Sequence, residues 1–206
     1  MANLDQLARV DQLIMRMEDQ SSETRYKIIV ENSAGQKLFY PGKVSGRFSR
    51  NIYLSFQAFN LKILDNFKNE VIHLHRPALC SSLSCGLFLD LYILAPPDTF
   101  VGKIEEKCRL CGPKFGIKDA SGKKLFTIKG PFCICCPKNI EFKILSADGK
   151  TQVGIISKQA HTKCLRISFP KDMDVRMKAV MVGACFLILA AFSNVNIDRL
   201  WQYHYS

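Results

Sequence analysis

Residues 179–192 form a 14-residue run without a charged, amide or hydroxyl side chain. A helix that is apolar on every side must be buried on every side. A transmembrane helix needs about 20 apolar residues, so this shorter run favours a helix in a protein core. A short membrane span stays open as the alternative, because Val195 and Ile197 extend the run and basic residues precede it.

The predicted helix covers residues 175–192 and is the last segment of the chain with a clear pattern of apolar residues. Whichever surroundings it takes, the side chains that we expect to be buried in a core or in a membrane are Val175, Met177, Val180, Met181, Gly183, Cys185, Phe186, Leu187 and Ile188.

Between Tyr26 and Lys158 the apolar residues alternate with polar ones, and the same hairpin-like unit occurs at 27–40, 61–74, 115–128 and 140–155. Each unit has turn-forming residues at its centre, where a tight β-turn needs them; these are Gly35, Asn69, Gly122 and Gly149. Further strands are predicted at 88–94 and 100–105. The pattern indicates a mainly β domain of consecutive antiparallel hairpins, and the need to protect strand edges favours a barrel or a closed sandwich. The lumen of a barrel is a place where an all-round apolar helix can be buried.

The first 20 residues predict a short amphipathic helix. Asn3 and Gln6 have the spacing of a capping box. Apolar residues then recur at helical spacing; they are Leu4, Leu7, Val10, Ile14 and Met17. We expect this helix to pack on its own domain, with binding to a partner as the alternative.

The formal net charge of the whole chain is +11, and its basic residues are concentrated in the second half. Residues 1–100 hold 11 basic and 10 acidic side chains, whereas residues 101–206 hold 18 and 8. Such an excess indicates an anionic partner, either a membrane surface or a nucleic acid. An ordinary solvated face remains the alternative for the densest cluster. The candidate lipid-binding cations are Lys114, Lys118, Lys123, Lys124, Lys129, Arg176 and Lys178.

Nine cysteines are present, an odd number, and the start of the chain lacks the pattern of a secretory signal. We therefore expect a reducing compartment and thiols rather than disulfides. Buried or unreactive thiols, zinc binding through the C-x2-C pair Cys108 and Cys111, and S-acylation stay open. The candidate acylation sites are Cys80, Cys85, Cys133, Cys135 and Cys136.

Several ordered motifs resemble those of the phospholipid scramblase family in the Tubby-like superfamily. They include Leu4-Asp-Gln-Leu7, Leu61-Lys-Ile-Leu-Asp-Asn66, Arg76-Pro-Ala-Leu-Cys80-Ser-Ser and the long stretch from Phe169-Pro170 to Ile188. The resemblance runs from Leu4 to about Phe192. It implies a closed antiparallel β-barrel around a hydrophobic C-terminal helix, within a domain at 21–192 that follows the N-terminal helix at 1–20 and precedes a divergent tail at 193–206.

The resemblance also implies calcium as a cofactor, bound just before the apolar helix. Asp172 matches the end of the family's acidic segment, and Asp174 follows it. The upstream carboxylates are missing here, while Arg166 and Lys171 stand nearby. Because calcium takes six to eight oxygen ligands, the sequence predicts that calcium control is weakened in this chain.

The activity implied by the resemblance is calcium-stimulated, ATP-independent, bidirectional movement of phospholipids between membrane leaflets. The alternative is a binding module for anionic lipids such as phosphoinositides, with a signalling or adaptor role. We expect anionic membrane phospholipids as partners rather than nucleic acid, a homo-oligomer, palmitoylation, and the cytoplasmic face of the plasma membrane with a second pool in the nucleus. An enzyme is not expected, since His73 and His75 accompany no nucleophile motif or phosphate-binding loop.

Overall fold

The structure, a computed structural model, describes residues 4–20, 25–46, 59–77, 90–96, 98–107, 112–131, 139–159 and 164–192. These residues form twelve strands and two helices. In chain order they are α1 (Asp5–Ala8), β1 (Gln12–Gln20), β2 (Arg25–Asn32), β3 (Lys37–Gly46), β4 (Phe59–Asp65), β5 (Glu70–Arg76), β6 (Asp90–Leu94), β7 (Phe100–Glu106), β8 (Lys114–Asp119), β9 (Lys124–Lys129), β10 (Asn139–Ser146), β11 (Gln152–Gln159), β12 (Cys164–Ser168) and α2 (Val175–Phe192).

The strands close into a barrel in which every strand pairs antiparallel with its neighbours in the sequence, and β1 pairs with β12. The closing pair aligns Leu13 with Ile167 and Met15 with Leu165, and all four side chains are buried. The predicted closed barrel of consecutive hairpins is confirmed. Closure leaves no free edge in the ladder, which explains how a chain with so many strands avoids edge-to-edge pairing.

Tight turns join the strands at one end of the barrel, which we call the turn end. Gly35, Gly122 and Gly149 have φ of +77°, +83° and +75°, as expected for their turn positions. In the β4–β5 turn the residue with positive φ is Lys68 (+65°), so the prediction of Asn69 is wrong by one position. The Asp65 carboxylate accepts hydrogen bonds from the backbone N–H groups of Phe67 and Asn69, both at 2.8 Å, which fixes this register.

The N-terminal helix is confirmed only over Asp5–Ala8, because residues 12–20 form β1. Leu13, Met15 and Met17 are buried while Arg16 and Glu18 are exposed, which is the alternation of a strand. The predicted apolar set misled because Ile14 and Met17 keep the helical spacing, whereas Met17 also continues the strand spacing of Leu13 and Met15. Pairing with β2 and β12 buries one face of the segment, and this tertiary contact decides the structure.

Helix α2 lies in the lumen of the barrel and forms its core. Every residue from Met177 to Leu189 is buried. A Cβ on Gly183 would lie 3.0 Å from Cδ1 of Ile93 and 3.1 Å from Cδ2 of Leu74, so the helix backbone touches the inner walls of β5 and β6. Among the described residues, none of the helices has the length and hydrophobicity of a membrane span. The apolar run therefore lies in the protein core, as the first of the two interpretations of the sequence predicts.

Candidate functional site

The predicted basic cluster separates into three groups in the structure. Lys123 and Lys124 lie at the turn end, in and after the β8–β9 turn. Lys118 is half-buried, and its Nζ lies 2.6 Å from Oε1 of Glu105 on β7. Lys114 and Lys129 lie toward the other end of the same two strands, where both are exposed. From the sequence, Lys118, Lys123, Lys124 and Lys129 are expected around one hairpin with Lys114 just before it, but the strand length and the ion pair with Glu105 divide the five.

Three exposed lysines stand side by side on the outer wall of the barrel. Lys114 on β8 is paired in register with Lys129 on β9, and Lys129 is paired with Lys143 on β10. We call Lys114, Lys129 and Lys143 the lysine row. Within the described part of the chain, none of the three ammonium groups is in an ion pair. Lys143 was missed by the sequence analysis, although the alternation of Ile140, Phe142 and Ile144 already directs it outward.

Glu105 is surrounded by three lysines beside this row. Its carboxylate lies 2.8 Å from Lys103, 2.9 Å from Lys107 and 2.6 Å from Lys118. Partial burial acts to raise the pKa of Glu105, but the hydrogen bonds from the three ammonium groups outweigh it and lower the pKa to about 2. Hydrogen bonds from the Lys103 ammonium to Asp90, at 2.8 Å, and to Glu105 raise the pKa of Lys103. These lysines are therefore neutralised in part, unlike those of the lysine row.

Lys178, predicted to bind lipid, is fully buried at the start of α2, so that prediction is wrong. Its ammonium donates hydrogen bonds to the carbonyl oxygens of Ala8 at 3.1 Å, Val10 at 2.7 Å and Lys171 at 2.9 Å. The nitrogen also lies 5.5 Å from the centre of the Phe169 ring. Burial lowers the pKa of Lys178. An ammonium has three donors, and here three carbonyls satisfy them, so the charge ties α2 to α1 and to the β12–α2 connection.

The predicted calcium residues, Asp172 and Asp174, lie just before the start of α2. Asp174 caps α2: its backbone carbonyl accepts from the Lys178 N–H at 3.0 Å, and its Oδ1 accepts from the Arg176 N–H at 2.8 Å. The Arg176 guanidinium also binds both carboxylate oxygens, at 3.3 and 3.2 Å, and these hydrogen bonds lower the pKa of Asp174. Asp172 is exposed. The described residues contain no group of three or more His, Cys, Asp or Glu side chains that could hold a metal.

The five predicted acylation cysteines, and also Cys108 and Cys111, lie outside the described residues. Cys80 and Cys85 belong to the connection that follows β5, and Cys133, Cys135 and Cys136 belong to the connection that follows β9. The ends of β5 and β9 lie opposite the turn end, at what we call the loop end. The two described cysteines are Cys164, which is half-buried, and Cys185, whose burial within α2 raises the pKa of its thiol.

The two candidate histidines on β5 contact ordinary polar partners. His75 Nδ1 lies 2.6 Å from Oδ1 of Asn60, and His73 Nδ1 lies 3.4 Å from Oε1 of Glu70. Both imidazoles are half-buried on the outer wall, and burial lowers the pKa of His73. These contacts are those of strand residues that stabilise a sheet surface.

The sequence model of the family described as Scramblase matches residues 2–194. The chain belongs to the scramblase family. The match includes all twelve strands and α2, so the barrel and its core helix are the scramblase domain.

Named scramblases are similar over most of the chain. Human phospholipid scramblase 1 is 36% identical over an alignment that covers 90% of this chain and 64% of that protein. Bovine phospholipid scramblase 2 is also 36% identical, with 90% and 69% covered. Human phospholipid scramblase family member 5 is 32% identical, with 89% and 74% covered. The chain thus spans less than two thirds of the length of human phospholipid scramblase 1.

Among solved structures, a protein from Arabidopsis thaliana superposes with a TM-score of 0.49 and 10% identity, covering 91% of this chain and 94% of the other.

Proposed function

We propose that this chain is a phospholipid scramblase-like protein that moves phospholipids between leaflets in both directions without ATP, and that it is not an enzyme. The observation that supports this proposal is the scramblase match over residues 2–194, together with 36% identity to a named phospholipid scramblase. Because α2 fills the lumen, a lipid headgroup would move along the outer surface of the barrel. We place its path between copies of the chain, where protein surfaces can shield it from hydrocarbon.

Leaflet exchange by the purified chain in fluorescently labelled liposomes tests this proposal. We expect the fraction of lipid accessible from outside to rise with protein density, without added nucleotide. Protein-free liposomes and heat-denatured protein are the controls. A labelled-lipid exchange rate equal to that of protein-free liposomes would contradict the transport proposal.

The family resemblance implies calcium as a cofactor. This proposal does not require calcium, and the experiment measures whether calcium changes the exchange rate. Asp174 is bound to Arg176, and Asp172 is accompanied by Lys171, so these residues do not supply the oxygen ligands that calcium needs. We expect exchange in calcium and in chelator to be equal. A chelator-sensitive rate that persists in an Asp172→Asn, Asp174→Asn variant would locate calcium control elsewhere in the chain.

The second candidate function is a non-transporting module that binds anionic lipids, including phosphoinositides, in a signalling or adaptor role. The observation that favours it is the lysine row, which presents three exposed cations on the outer wall without an ion-pair partner among the described residues. Co-sedimentation with anionic and with neutral vesicles tests this function. We expect pelleting with anionic vesicles that weakens as salt rises, because screening reduces attraction to a charged surface. Equal pelleting with neutral vesicles would contradict it.

We also propose S-acylation at the cysteine-bearing connections that follow β5 and β9, which would hold the loop end at the cytoplasmic face of the plasma membrane. Stable anchoring needs two signals, which would be two modified cysteines, or one modified cysteine together with the basic surface of the lysine row. Replacing Cys80 and Cys85 with serine should shift the protein from the membrane to the soluble fraction of cells. A soluble remainder, including a nuclear pool, is expected for the variant; an unchanged distribution would contradict acylation at these two residues.

A further inference from the structure

Three adjacent strands place like charges directly opposite each other in the lysine row. Lys114, Lys129 and Lys143 share one register line across β8, β9 and β10. Like charges at directly opposed positions destabilise a sheet. The wall beside them shows the usual solution, since Glu105 partly neutralises Lys103, Lys107 and Lys118 through contacts of 2.6 to 2.9 Å. Among the described residues, no carboxylate forms an ion pair with the row, so its repulsion remains until an external anion approaches.

The row is compact enough to act as one patch. Neighbouring strands lie about 4.8 Å apart, so the three lysines span about 10 Å, which is close to the Debye length at physiological salt. Glu141 is the outward carboxylate on β10 two residues before Lys143, and it pairs in register with Ser157 rather than with a residue of the row. The patch therefore keeps most of its positive field.

Half-buried apolar side chains border the patch. Ile155 on β11 is the register partner of Lys143, and Leu145 follows Lys143 on the same face of β10. A lysine next to apolar surface can lay its stem along that surface and present its ammonium at the rim. Charge beside apolar area matches the headgroup boundary of a bilayer, which offers phosphate and acyl chain together.

We propose that the lysine row is the docking surface for an anionic bilayer, so that the barrel lies with the outer wall of β8–β10 against the headgroups and its turn end directed away. The inference rests on the anionic-lipid binding proposed above and adds the surface and the orientation. It assigns Lys143 a role in binding and removes Lys123 and Lys124 from the contact, since they lie at the other end of the same hairpin.

Two matched triple variants test the orientation. One carries Lys114→Gln, Lys129→Gln and Lys143→Gln. The other carries Lys123→Gln, Lys124→Gln and Lys150→Gln, which removes the same charge from exposed residues of the β8–β9 and β10–β11 hairpins at the turn end. Both are compared with the unmodified chain by co-sedimentation with phosphatidylcholine vesicles containing 30% phosphatidylserine and with pure phosphatidylcholine vesicles.

A lysine near an anionic surface strengthens binding about five-fold, which corresponds to about 1 kcal/mol. The row variant should therefore lose about 100-fold in partition onto the anionic vesicles, and the turn-end variant less than about five-fold. Thermal melting separates binding from folding: the row variant should melt no lower than the unmodified chain, because it loses a repulsion. Glu105→Gln, which releases the neighbouring lysines, should strengthen binding about five-fold.

The outcomes distinguish this inference from the binding function itself. Absent binding of the unmodified chain would overturn the binding function. Normal binding with equal losses in the two triple variants, or with loss only in the turn-end variant, would overturn the row while leaving the function in place. Row-dependent binding to duplex DNA without binding to vesicles would assign the same charges to a nucleic acid and would also overturn the proposal.

Discussion

Single charged residues are used in opposite ways at the two ends of the scramblase barrel. Lys178 has lost all contact with solvent and is held by three backbone carbonyls, one from each of Ala8, Val10 and Lys171. The row lysine Lys129 is exposed and unpaired. Sequence position alone cannot tell these cases apart, because two of the three carbonyls that accept hydrogen bonds from Lys178 belong to residues about 170 positions away.

Replacing Lys178 with methionine should lower the free energy of unfolding by about 2–4 kcal/mol, because the carbonyls of three segments lose their donors inside the barrel. Chemical denaturation measures the change. Lys150→Met, at an exposed lysine, should stay within about 0.5 kcal/mol of the unmodified chain. A Lys178→Met protein as stable as the Lys150→Met control would show that the buried ammonium contributes nothing.

The stability supplied by Glu105 should depend on acid. Its pKa is lowered from 4.5 to about 2 in the folded protein, so its stabilisation is complete above the unfolded value of 4.5 and is lost as pH falls toward 2. Glu105→Gln should reduce the free energy of unfolding by about 1–3 kcal/mol at pH 7, allowing for partial solvent exposure. The difference should disappear near pH 2. A difference that is constant between pH 7 and pH 3 would mean that Glu105 acts through packing rather than charge.

Among the elements, α2 and the hairpins were predictable, whereas β1 was not. In the hairpins, apolar and polar residues alternate around turn residues such as Gly122 and Gly149. Local sequence and turn sterics are therefore sufficient to predict them. The 14-residue apolar run allows only burial on all sides. Residues 12–20 carry an apolar set that fits two periods, and only pairing with β2 and β12 selects the strand.

The outer-wall site was predictable only in part for the same reason. Lys114 and Lys129 were found from the local density of lysines, but Lys143 becomes their neighbour through the register between β9 and β10. A count of charges along the sequence does not show which residues of neighbouring strands lie side by side. The pairing that neutralises Lys118 likewise depends on Glu105, which belongs to another hairpin.

The close contact of α2 with the barrel wall gives a test at the level of the element. Gly183→Leu should destabilise the protein by about 1–3 kcal/mol, because a Cβ there already meets Ile93 at 3.0 Å and Leu74 at 3.1 Å. Val175→Leu, at the half-buried start of the helix, should be close to neutral. Urea midpoints compare the two. A helix packed only against lipid would accept leucine at 183, so equal midpoints would contradict the core position.

At the scale of the whole molecule, the barrel and its helix form one folding unit. The core is the inner face of the sheet together with α2, and its buried apolar residues form a single cluster that runs from Leu4 to Leu189. Removal of α2 from the lumen would expose that cluster. Membrane contact by the intact barrel therefore has to use its outer surface, on which the lysine row lies.

Hydrogen exchange tests whether the barrel and α2 unfold together as one unit. The backbone amides of residues 177–189 should exchange only through global unfolding, with protection as high as that of the central strands. Anionic vesicles at saturating concentration should leave that protection unchanged. Selective acceleration of exchange in α2 on addition of vesicles would mean that the helix leaves the barrel at the membrane.

The pairing of β1 with β12 has a consequence for biosynthesis. The partner of Gln12 is Ser168, and the lysine that binds the Val10 carbonyl lies 168 residues later. While the chain is on the ribosome, β1 to β11 can pair only as an open sheet, with an uncovered apolar face and two free edges. Such intermediates fold slowly and aggregate readily. The last 29 described residues, 164–192, thus supply both the missing strand of the wall and the helix that fills the barrel, and until they emerge the apolar face of the nascent sheet stays uncovered.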